Sequence, residues 1–310
     1  MKLDYGYVSY LPYEERTVDT QFRDLISNVM QNGEEVATIQ GVTQGEGCKR
    51  LLNQSFRWKM ENGFPLPVER DISMVLSGGT AEIIAMIHGA RTLREFDSYG
   101  VPRVYWERWL TEAQCSIFGL EAGDLGDASY GVQFGKPKCE GGTFSQIEAV
   151  IELARQKPYM RTMRVSNWQK AELLLSPDPK KRRTVVAPCH GEHQLFLKEE
   201  GRELKFVYHQ RAGDLGSGIS GNMTHAAGLG LMYAKVLGYK LIEVIHVIDD
   251  AHIYSRQYEK VQKLIEAPSG RLPTVTLDES ITDMFAFRKE HFHLSDYHPT
   301  GPRMKIDTPI

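Results

Sequence analysis

Apolar residues recur with two different periods along the chain. Helical spacing predicts helices over about 21–31, 80–93, 143–156, 224–238 and 255–266. Alternating or continuous apolar runs between turn signals predict strands at 52–60, 163–168, 183–189, 194–198, 204–211 and 240–249. Helices and strands are therefore interspersed, and an antiparallel hairpin is expected around residues 199–202. This order predicts an α/β (α+β) fold with a mixed β-sheet and packed helices.

No internal repeat, low-complexity tract or long linker interrupts this pattern, so one continuous domain is expected. The 310 residues are 41% hydrophobic and 25% charged, which excludes disordered and fibrous classes. A formal net charge of -3 lacks the basic character of a dedicated nucleic-acid binder. No apolar run reaches the ~20 residues that span a bilayer, and no signal-peptide stretch is present. We therefore expect a cytoplasmic protein with neither membrane nor nucleic acid as partner.

The chain has four cysteines, too few for a disulfide framework, and no C-x-x-C spacing, so no metal site is predicted. Cys189 follows Pro188 at the end of a predicted strand, where a side chain can point out of the sheet. A lone cysteine is more often a small buried hydrophobe. Arg211, at the end of the predicted hairpin, favours a nucleophile instead, because a nearby guanidinium promotes the thiolate. His190 points to the opposite face, so hydrolytic Cys–His catalysis is not expected.

The glycine-rich segment 216–221 reads G-x-G-x-x-G, and Glu243 lies 22 residues after its last glycine. This spacing matches the dinucleotide-binding fingerprint and would indicate a nicotinamide-dependent oxidoreductase. Two observations oppose that interpretation. The preceding strand belongs to an antiparallel hairpin instead of a parallel βαβ unit, and Glu243 falls in the middle of a predicted strand. Nicotinamide binding is therefore the weaker hypothesis.

Other polar residues stand where they could serve chemistry. Glu82 lies inside the apolar run of a predicted helix, and a buried carboxylate is costly unless it is used. His252 and Tyr254 share one face if their strand continues, and together they offer two hydrogen-bonding groups to one ligand. Hydrogen bonds from these two side chains to solvent would explain the pair equally well. Arg161 and the basic run 180–183 could meet a phosphate, although such runs are usually solvated loop.

In order along the chain, these segments resemble the thymidylate synthase family, which also contains pyrimidine nucleotide hydroxymethylases. The resemblance extends over about residues 20 to 310 and rests on NGFPL (62–66), VYWERW (104–109), GDLGDASYG (123–131), TFSQIEAVIELARQKPYMR (143–161), VSNW (165–168), PCH (188–190), HQRAGDLGSGISGN (209–222), GYKLIEVIHVIDDAHIYS (238–255) and YHPTGPRMKIDTPI (297–310). It implies an N-terminal extension, residues 1–20, followed by a thymidylate synthase-like catalytic domain, residues 21–310. An obligate homodimer is implied as well.

The resemblance implies one-carbon transfer from 5,10-methylenetetrahydrofolate, as co-substrate, to C5 of a pyrimidine nucleoside monophosphate. Cys189 would add to ring C6, Arg211 would bind the phosphate and favour the thiolate, and Glu82 would organise proton transfer. The catalytic residues implied are Cys189, Glu82, Arg211, Asn222 and Tyr130. The substrate-binding residues implied are Arg211, Asn222, His252, Tyr254, Ala212 and, from the neighbouring subunit, Arg161. The folate-binding residues implied are Asp214, Trp106, Arg70 and Ile310.

Several positions depart from the family pattern. Thr43 replaces an early phosphate-binding arginine, Thr162 replaces a second borrowed arginine, and Ala212 replaces the serine after the phosphate-binding arginine. Arg70 stands where the family has a folate-side lysine. These losses around one subsite favour a hydroxymethylase branch, in which water instead of hydride completes the reaction. Asn222 fits uracil, but an Asn amide can flip, so cytosine stays open.

Two other functions share this resemblance. Thymidylate synthase proper, the reductive methylation of dUMP to dTMP, would use the same nucleophile. A non-catalytic nucleotide- or RNA-binding descendant of the fold would explain the altered phosphate subsite, although the retained Cys189, Glu82 and Asn222 oppose it. The base, the sugar and the pathway stay open from sequence.

Overall fold

The computed structural model describes residues 1–37, 46–139, 141–174 and 178–308. The α-helices over these residues are α1 (Gln21–Asn32), α2 (Ser73–Ile87), α3 (Leu93–Ser98), α4 (Glu112–Ile117), α5 (Tyr130–Gly135), α6 (Gln146–Gln156), α7 (Lys170–Leu174), α8 (Pro179–Arg182), α9 (Ile219–Leu237) and α10 (Tyr258–Glu266). The strands are β1 (Leu3–Asp4), β2 (Ser9–Tyr10), β3 (Glu34–Val36), β4 (Cys48–Lys59), β5 (Lys138–Cys139), β6 (Gly142–Thr143), β7 (Arg164–Val165), β8 (His190–Lys198), β9 (Glu203–Asp214), β10 (Lys240–Tyr254), β11 (Thr274–Leu277) and β12 (Phe292–Ser295).

A six-stranded sheet with the order β3-β4-β10-β9-β8-β7 organises the fold. The long strand β10 runs parallel to β9 and antiparallel to β4, so the sheet is mixed, as the sequence predicted. β8 and β9 form the expected antiparallel hairpin. Helix α9 makes the connection from β9 to the parallel β10, which brings the start of α9 next to the carboxyl end of β9.

The core lies on one face of this sheet. Leu204, Phe206 and Tyr208 alternate along β9 and are fully buried, as period-two burial of one sheet face requires. Helices α2 and α9 pack against each other over this region. Both are apolar nearly all round, which is typical of helices in the interior of a domain. No helix among the described residues has both the length and the apolar character that crossing a membrane requires.

Two predicted elements differ from the structure. The helix expected over 80–93 is α2, which begins seven residues earlier at Ser73 and ends at Ile87. Gly78 lies inside this helix and leaves room for Tyr105, because a Cβ at position 78 would lie 2.4 Å from the Tyr105 hydroxyl. The strand predicted over 183–189 is wrong. Thr184 makes only an isolated bridge to Gly126, and Pro188 has no N–H to offer a ladder.

The N-terminal segment, residues 1–20, packs onto strand β11. The Tyr10 hydroxyl donates to the Val275 carbonyl at 2.9 Å, and Tyr10 is fully buried. Arg16 is also buried, and its guanidinium donates to the Leu272 carbonyl at 2.8 Å and to the Thr274 hydroxyl at 2.6 Å. These contacts tie the segment to the rest of the chain.

Candidate active site

Cys189 lies directly before β8, where the chain enters the hairpin, instead of at the end of a strand. Arg211, on the paired strand β9, donates its backbone N–H to the Cys189 carbonyl at 2.6 Å. The Arg211 guanidinium then turns back: Nη2 lies 3.4 Å from Cys189 Sγ and Nε donates to the Pro188 carbonyl at 3.3 Å. A guanidinium in this position stabilises negative charge on the sulfur.

A glycine makes the bend after this cysteine possible. The register between β8 and β9 shifts between His190 and Glu192, and Gly191 at the shift has φ +113°. A Cβ at Gly191 would lie 2.3 Å from the Phe134 ring, so a side chain is excluded on both counts. Cys189 therefore lies directly before an irregularity in the β8–β9 ladder.

Tyr130, at the start of α5, holds the backbone of Cys189 by a hydrogen bond. Its hydroxyl accepts the Cys189 backbone N–H at 2.7 Å. Burial, with Cys189 as the next contribution, holds the pKa of the Tyr130 phenol well above its usual range, so it stays neutral. Its ring contacts Trp106 and His190 at centroid distances of 5.8 and 4.9 Å. The predicted Tyr130 is therefore a direct support of the cysteine backbone.

A cavity of about 240 Å³ opens at Cys189. Arg211 lines it together with Trp168, and the Arg211 guanidinium carbon lies 5.2 Å from the Trp168 ring centroid. Glu192, His209 and Asp249 complete the wall on the outer side of the sheet. Among the described residues that line the cavity, Arg211 is the arginine that an anionic group could meet beside Cys189.

A larger cleft of about 760 Å³ lies on the other side of His190, which lines both spaces. Glu82 lines this cleft and is buried in α2. Trp106 Nε1 donates to Glu82 Oε1 at 2.6 Å, and His225 Nε2 lies 3.0 Å from Oε2. Both oxygens of this carboxyl group therefore have a nitrogen neighbour.

Asn222, in the first turn of α9, also lines the cleft and is held by a chain of hydrogen bonds. Gln210 Nε2 donates to the Ala212 carbonyl at 2.9 Å and to Asn222 Oδ1 at 2.8 Å. Gln210 Oε1 lies 2.8 Å from His246 Nε2. Because the Ala212 carbonyl only accepts, the orientation of Gln210 is determined, and Asn222 must present its oxygen to Gln210. The Asn222 amide flip that the sequence left open is thereby opposed.

The protonation of His246 completes this chain. Burial, assisted by the neighbouring His225, lowers the pKa of His246 to about 3, so the ring is neutral. Since Gln210 Oε1 only accepts, the single ring proton of His246 resides on Nε2. A donor then meets an acceptor at each contact from His246 Nε2 through Gln210 to Asn222 Oδ1, and the Nδ2 hydrogens of Asn222 are left for a ligand.

The far wall of the cleft is cationic and aromatic. Arg70 and Arg108 line it, and the Nε atoms of both are buried without a hydrogen-bond partner in the part of the chain that the structure describes. Burial lowers the pKa of Arg70, whose Nη2 donates to Ser220 Oγ at 3.3 Å. Trp109 and Ile306 add apolar surface. Trp106, expected to wall this side, points its indole N–H at Glu82, and its contact with a folate stays a prediction.

Asp214 lines neither cavity. One carboxylate oxygen accepts the backbone N–H groups of Gly216 and Ser217 at 3.0 and 3.1 Å, and the other accepts from Gln257 Nε2 at 3.1 Å. Burial raises the pKa of this carboxyl above its usual value. Asp214 therefore shapes the loop whose next residues form the cleft wall, and a direct role toward the pterin stays a prediction.

His252 and Tyr254 lie at the end of β10 with their rings 4.9 Å apart, edge to face. His252 pairs with Asp214 in the parallel register, and its Nδ1 lies 3.2 Å from Asp250 Oδ1. β10 does continue through both residues, as the prediction of a shared face required. Neither residue lines the two cavities, so sugar binding by this pair stays a prediction.

Arg161 lines neither cavity. Arg161 is exposed at the edge of the sheet, where its carbonyl accepts from Gln194 Nε2 at 2.7 Å. Ile310 and the altered position Thr43 lie outside the described residues. Ala212, by contrast, contributes through its backbone, because its N–H approaches the Cys189 carbonyl at 3.4 Å.

Sequence reasoning missed His225, Gln210 and His246 as residues of the site. A signal existed for His225, since a histidine inside the apolar run 224–238 is as costly to bury as Glu82 in its own helix. No local signal marked Gln210 or His246, because their partners come from different strands.

The family comparison agrees with this arrangement. The family model described as thymidylate synthase matches residues 20–309, which is nearly the whole chain. The fold is a six-stranded mixed sheet with packed helices, with a thiol, a guanidinium, a carboxylate and an amide around adjoining cavities. The chain belongs to the thymidylate synthase family, whose members carry out folate-dependent one-carbon transfer to C5 of a pyrimidine nucleotide.

Proposed function

We propose that this protein is a pyrimidine nucleotide hydroxymethylase, which converts C5–H of a pyrimidine nucleoside monophosphate into C5–CH2OH. The observation that carries the C5 chemistry is the 3.4 Å contact of Cys189 Sγ with Arg211 Nη2 in the smaller cavity, directly before His190, which lies at the junction of the two cavities. One cavity carries a cation for phosphate and the other a carboxylate and an amide for the base. A nucleotide that spans the junction places its ring beside the thiolate.

The covalent step follows from this placement. A new bond forms between Cys189 Sγ and ring C6, and the C5–C6 π pair moves to C5 and is delocalised onto O4. C5 becomes the nucleophile that takes up the one-carbon unit. Its C5–H proton then leaves to a base, and we assign that transfer to Glu82, a carboxyl group that lines the larger cleft.

The cleft beside Glu82 suits a folate. The cleft has a volume of about 760 Å³ and apolar surface from Trp109 and Ile306. The Nε atoms of Arg70 and Arg108 have no partner among the residues that the structure describes. These features match a flat, hydrogen-bonding ring system with an acidic tail. When bound, methylenetetrahydrofolate supplies a carbon at the oxidation level of formaldehyde. Arg70, Arg108 and Trp109 would hold it.

Water is the proposed partner for completing the reaction. Adding water to an exocyclic methylene on C5 keeps the carbon at the oxidation level of formaldehyde, whereas a methyl product needs two further electrons. Water addition needs a proton donor and acceptor at the site, and Glu82 between Trp106 and His225 provides one. The loss of phosphate ligands at Thr162 and Ala212 further favours a nucleotide other than dUMP.

The base is proposed to be uracil. The hydrogen-bond chain through Gln210 opposes an Asn222 flip, so the enzyme cannot read both bases equally well. Asn222 Nδ2 would donate to O4, and the second lone pair of Oδ1 would accept from N3–H. Cytosine presents the reverse pattern of donor and acceptor.

The test is a screen with UMP, dUMP, CMP and dCMP, each tritiated at C5, together with formaldehyde and tetrahydrofolate. We expect tritium release and a 5-hydroxymethyl product, without dihydrofolate. A methyl product with stoichiometric dihydrofolate would establish reductive methylation instead, and no release from any nucleotide would favour a binding protein. Cys189→Ala must abolish release, while Cys115→Ala, a buried cysteine away from both cavities, keeps it.

We further propose a homodimer in which Arg161 enters the neighbour's phosphate site. In support, the outer sheet face carries partly exposed apolar side chains, among them Phe196, Val207 and Ile245, and Arg161 lies at its edge. Mixed dimers test this. Arg161→Gln and Cys189→Ala homodimers should both be inactive, whereas their hybrid regains one intact site. A hybrid without activity, or a monomer by sedimentation, contradicts the proposal.

A further inference from the structure

His225 is a fully buried histidine that faces the candidate catalytic carboxylate. It lies on α9, and its Nε2 is 3.0 Å from Glu82 Oε2 across the α2–α9 contact. The contact is close, but its angle is not that of a completed hydrogen bond, and Nδ1 also has no partner among the described residues. A buried imidazole in this state costs free energy, so it needs a reason beyond packing.

The groups around His225 come from four elements. Glu82 faces it from α2, His190 from β8 with a ring distance of 5.1 Å, and His246 from β10. Tyr208 on β9 contacts both of those histidines, with its hydroxyl 2.7 Å from His190 Nδ1 and its ring 5.1 Å from His246. Burial, then the neighbouring His225 and His246, hold the pKa of His190 well below its usual range.

His190 and His246 are therefore neutral, and one ring nitrogen of each is committed, His190 Nδ1 to Tyr208 and His246 Nε2 to Gln210. In this cluster His225 is the histidine that contacts a carboxylate. An imidazole beside a carboxyl group can form a hydrogen bond with both the ionised and the protonated form of that carboxyl group. Nε2–H donates to the ionised carboxylate, and a bare Nε2 accepts from the protonated acid.

We propose that His225 is a positioning residue that holds Glu82 on the cleft wall and shares its proton during the C5 chemistry. The inference rests on the proposed use of Glu82 and holds for hydroxymethylation and for methylation. When C5–H breaks, its electron pair stays in the pyrimidine ring and the proton goes to Glu82. The proton then lies between Oε2 and Nε2 until the next step returns it to substrate or water. No oxidant or reductant is needed.

Two substitutions separate positioning from packing. His225→Phe keeps the bulk but removes both nitrogens, and we expect kcat to fall roughly ten- to a hundred-fold with the KM for nucleotide changed by less than about three-fold. His225→Gln restores an N–H for Glu82 but cannot accept a proton. We expect it to recover part of kcat and to lose one ionisation from the pH profile of kcat.

His193→Phe is the matched control. His193 is equally buried, and its nitrogens contact the Gly191 carbonyl and the Tyr233 hydroxyl, away from Glu82. It should lower the melting temperature without altering the pH profile. Wild-type kcat and pH profile in folded His225→Phe, or full rescue of both by His225→Gln, would overturn the proposal.

A readout without turnover keeps this test apart from that of the proposed function. In protein with 15N-labelled histidine, Glu82→Gln should shift the ring nitrogen resonances of His225, assigned by their loss in His225→Gln, and leave those of His193 unchanged. Unshifted His225 signals would contradict the pairing. If the wild-type protein releases no tritium from any nucleotide, the proposed function fails while this result still decides whether the pair exists.

Discussion

Replacing Tyr130 with Phe should weaken the reaction at Cys189 without touching the thiol. The substitution deletes the acceptor that the Cys189 backbone N–H uses at 2.7 Å, in a fully buried setting. An unsatisfied N–H of this kind costs about 1–3 kcal/mol. If that cost falls on the conformation that presents Sγ to substrate, turnover drops roughly 5- to 150-fold, because 1.4 kcal/mol corresponds to a factor of ten.

The assay is tritium release from the best C5-labelled nucleotide, together with the rate at which a small alkylating reagent modifies Cys189. Tyr233→Phe is the control, since this tyrosine is equally buried and its hydroxyl contacts His193 Nε2 at 3.0 Å. Both variants should lose comparable thermal stability. Only Tyr130→Phe should lose turnover and change the alkylation rate. Equal turnover losses in the two variants, or none in Tyr130→Phe, would refute the argument.

Two further predictions concern buried histidines. Burial lowers the pKa of His193 to about 4 and of His246 to about 3, against about 6.5 unfolded, so unfolding takes up protons below pH 6.5. The contribution of these histidines to stability should therefore be complete above that pH and should fall toward pH 4, by up to about 1.4 kcal/mol per pH unit per histidine. In His193→Phe the urea unfolding midpoint should depend less on pH between pH 4 and 7 than in the wild type. Parallel curves for the two proteins would contradict this. His246→Phe should release Gln210 and Asn222, so that the ratio of uracil to cytosine turnover moves toward one; an unchanged ratio would show that Asn222 does not depend on the chain.

Local patterns determined much of the fold from sequence. Neighbouring residues decide three features that could be predicted. These are the period-two burial in β9, the hairpin of β9 with β8, and the end of α9 at Gly238, where φ is +69°. The strand predicted over 183–189 was wrong because apolar composition does not reveal whether a partner strand is present. Cys189 was accordingly placed at the end of a strand instead of before one.

The candidate reacting groups were also named from sequence. Cys189, Arg211, Glu82 and Asn222 could be named because each polar type was out of place in its segment or belonged to an ordered family pattern. The contacts that surround these residues could not be predicted from sequence. The Tyr130 support spans 59 residues, and the chain from His246 through Gln210 crosses two strands before it reaches Asn222.

By itself, the sequence determined a mixed α/β fold and the family, and it named the candidate nucleophile, because these depend on residue type and order along the chain. Tertiary structure alone decided which way Asn222 faces, what holds Cys189 and that His225 meets Glu82. These outcomes depend on the register of β10 against β9 and on how α9 packs on α2. Hydrogen-bond direction and contact within 3 Å are properties of such packing, which no local pattern encodes.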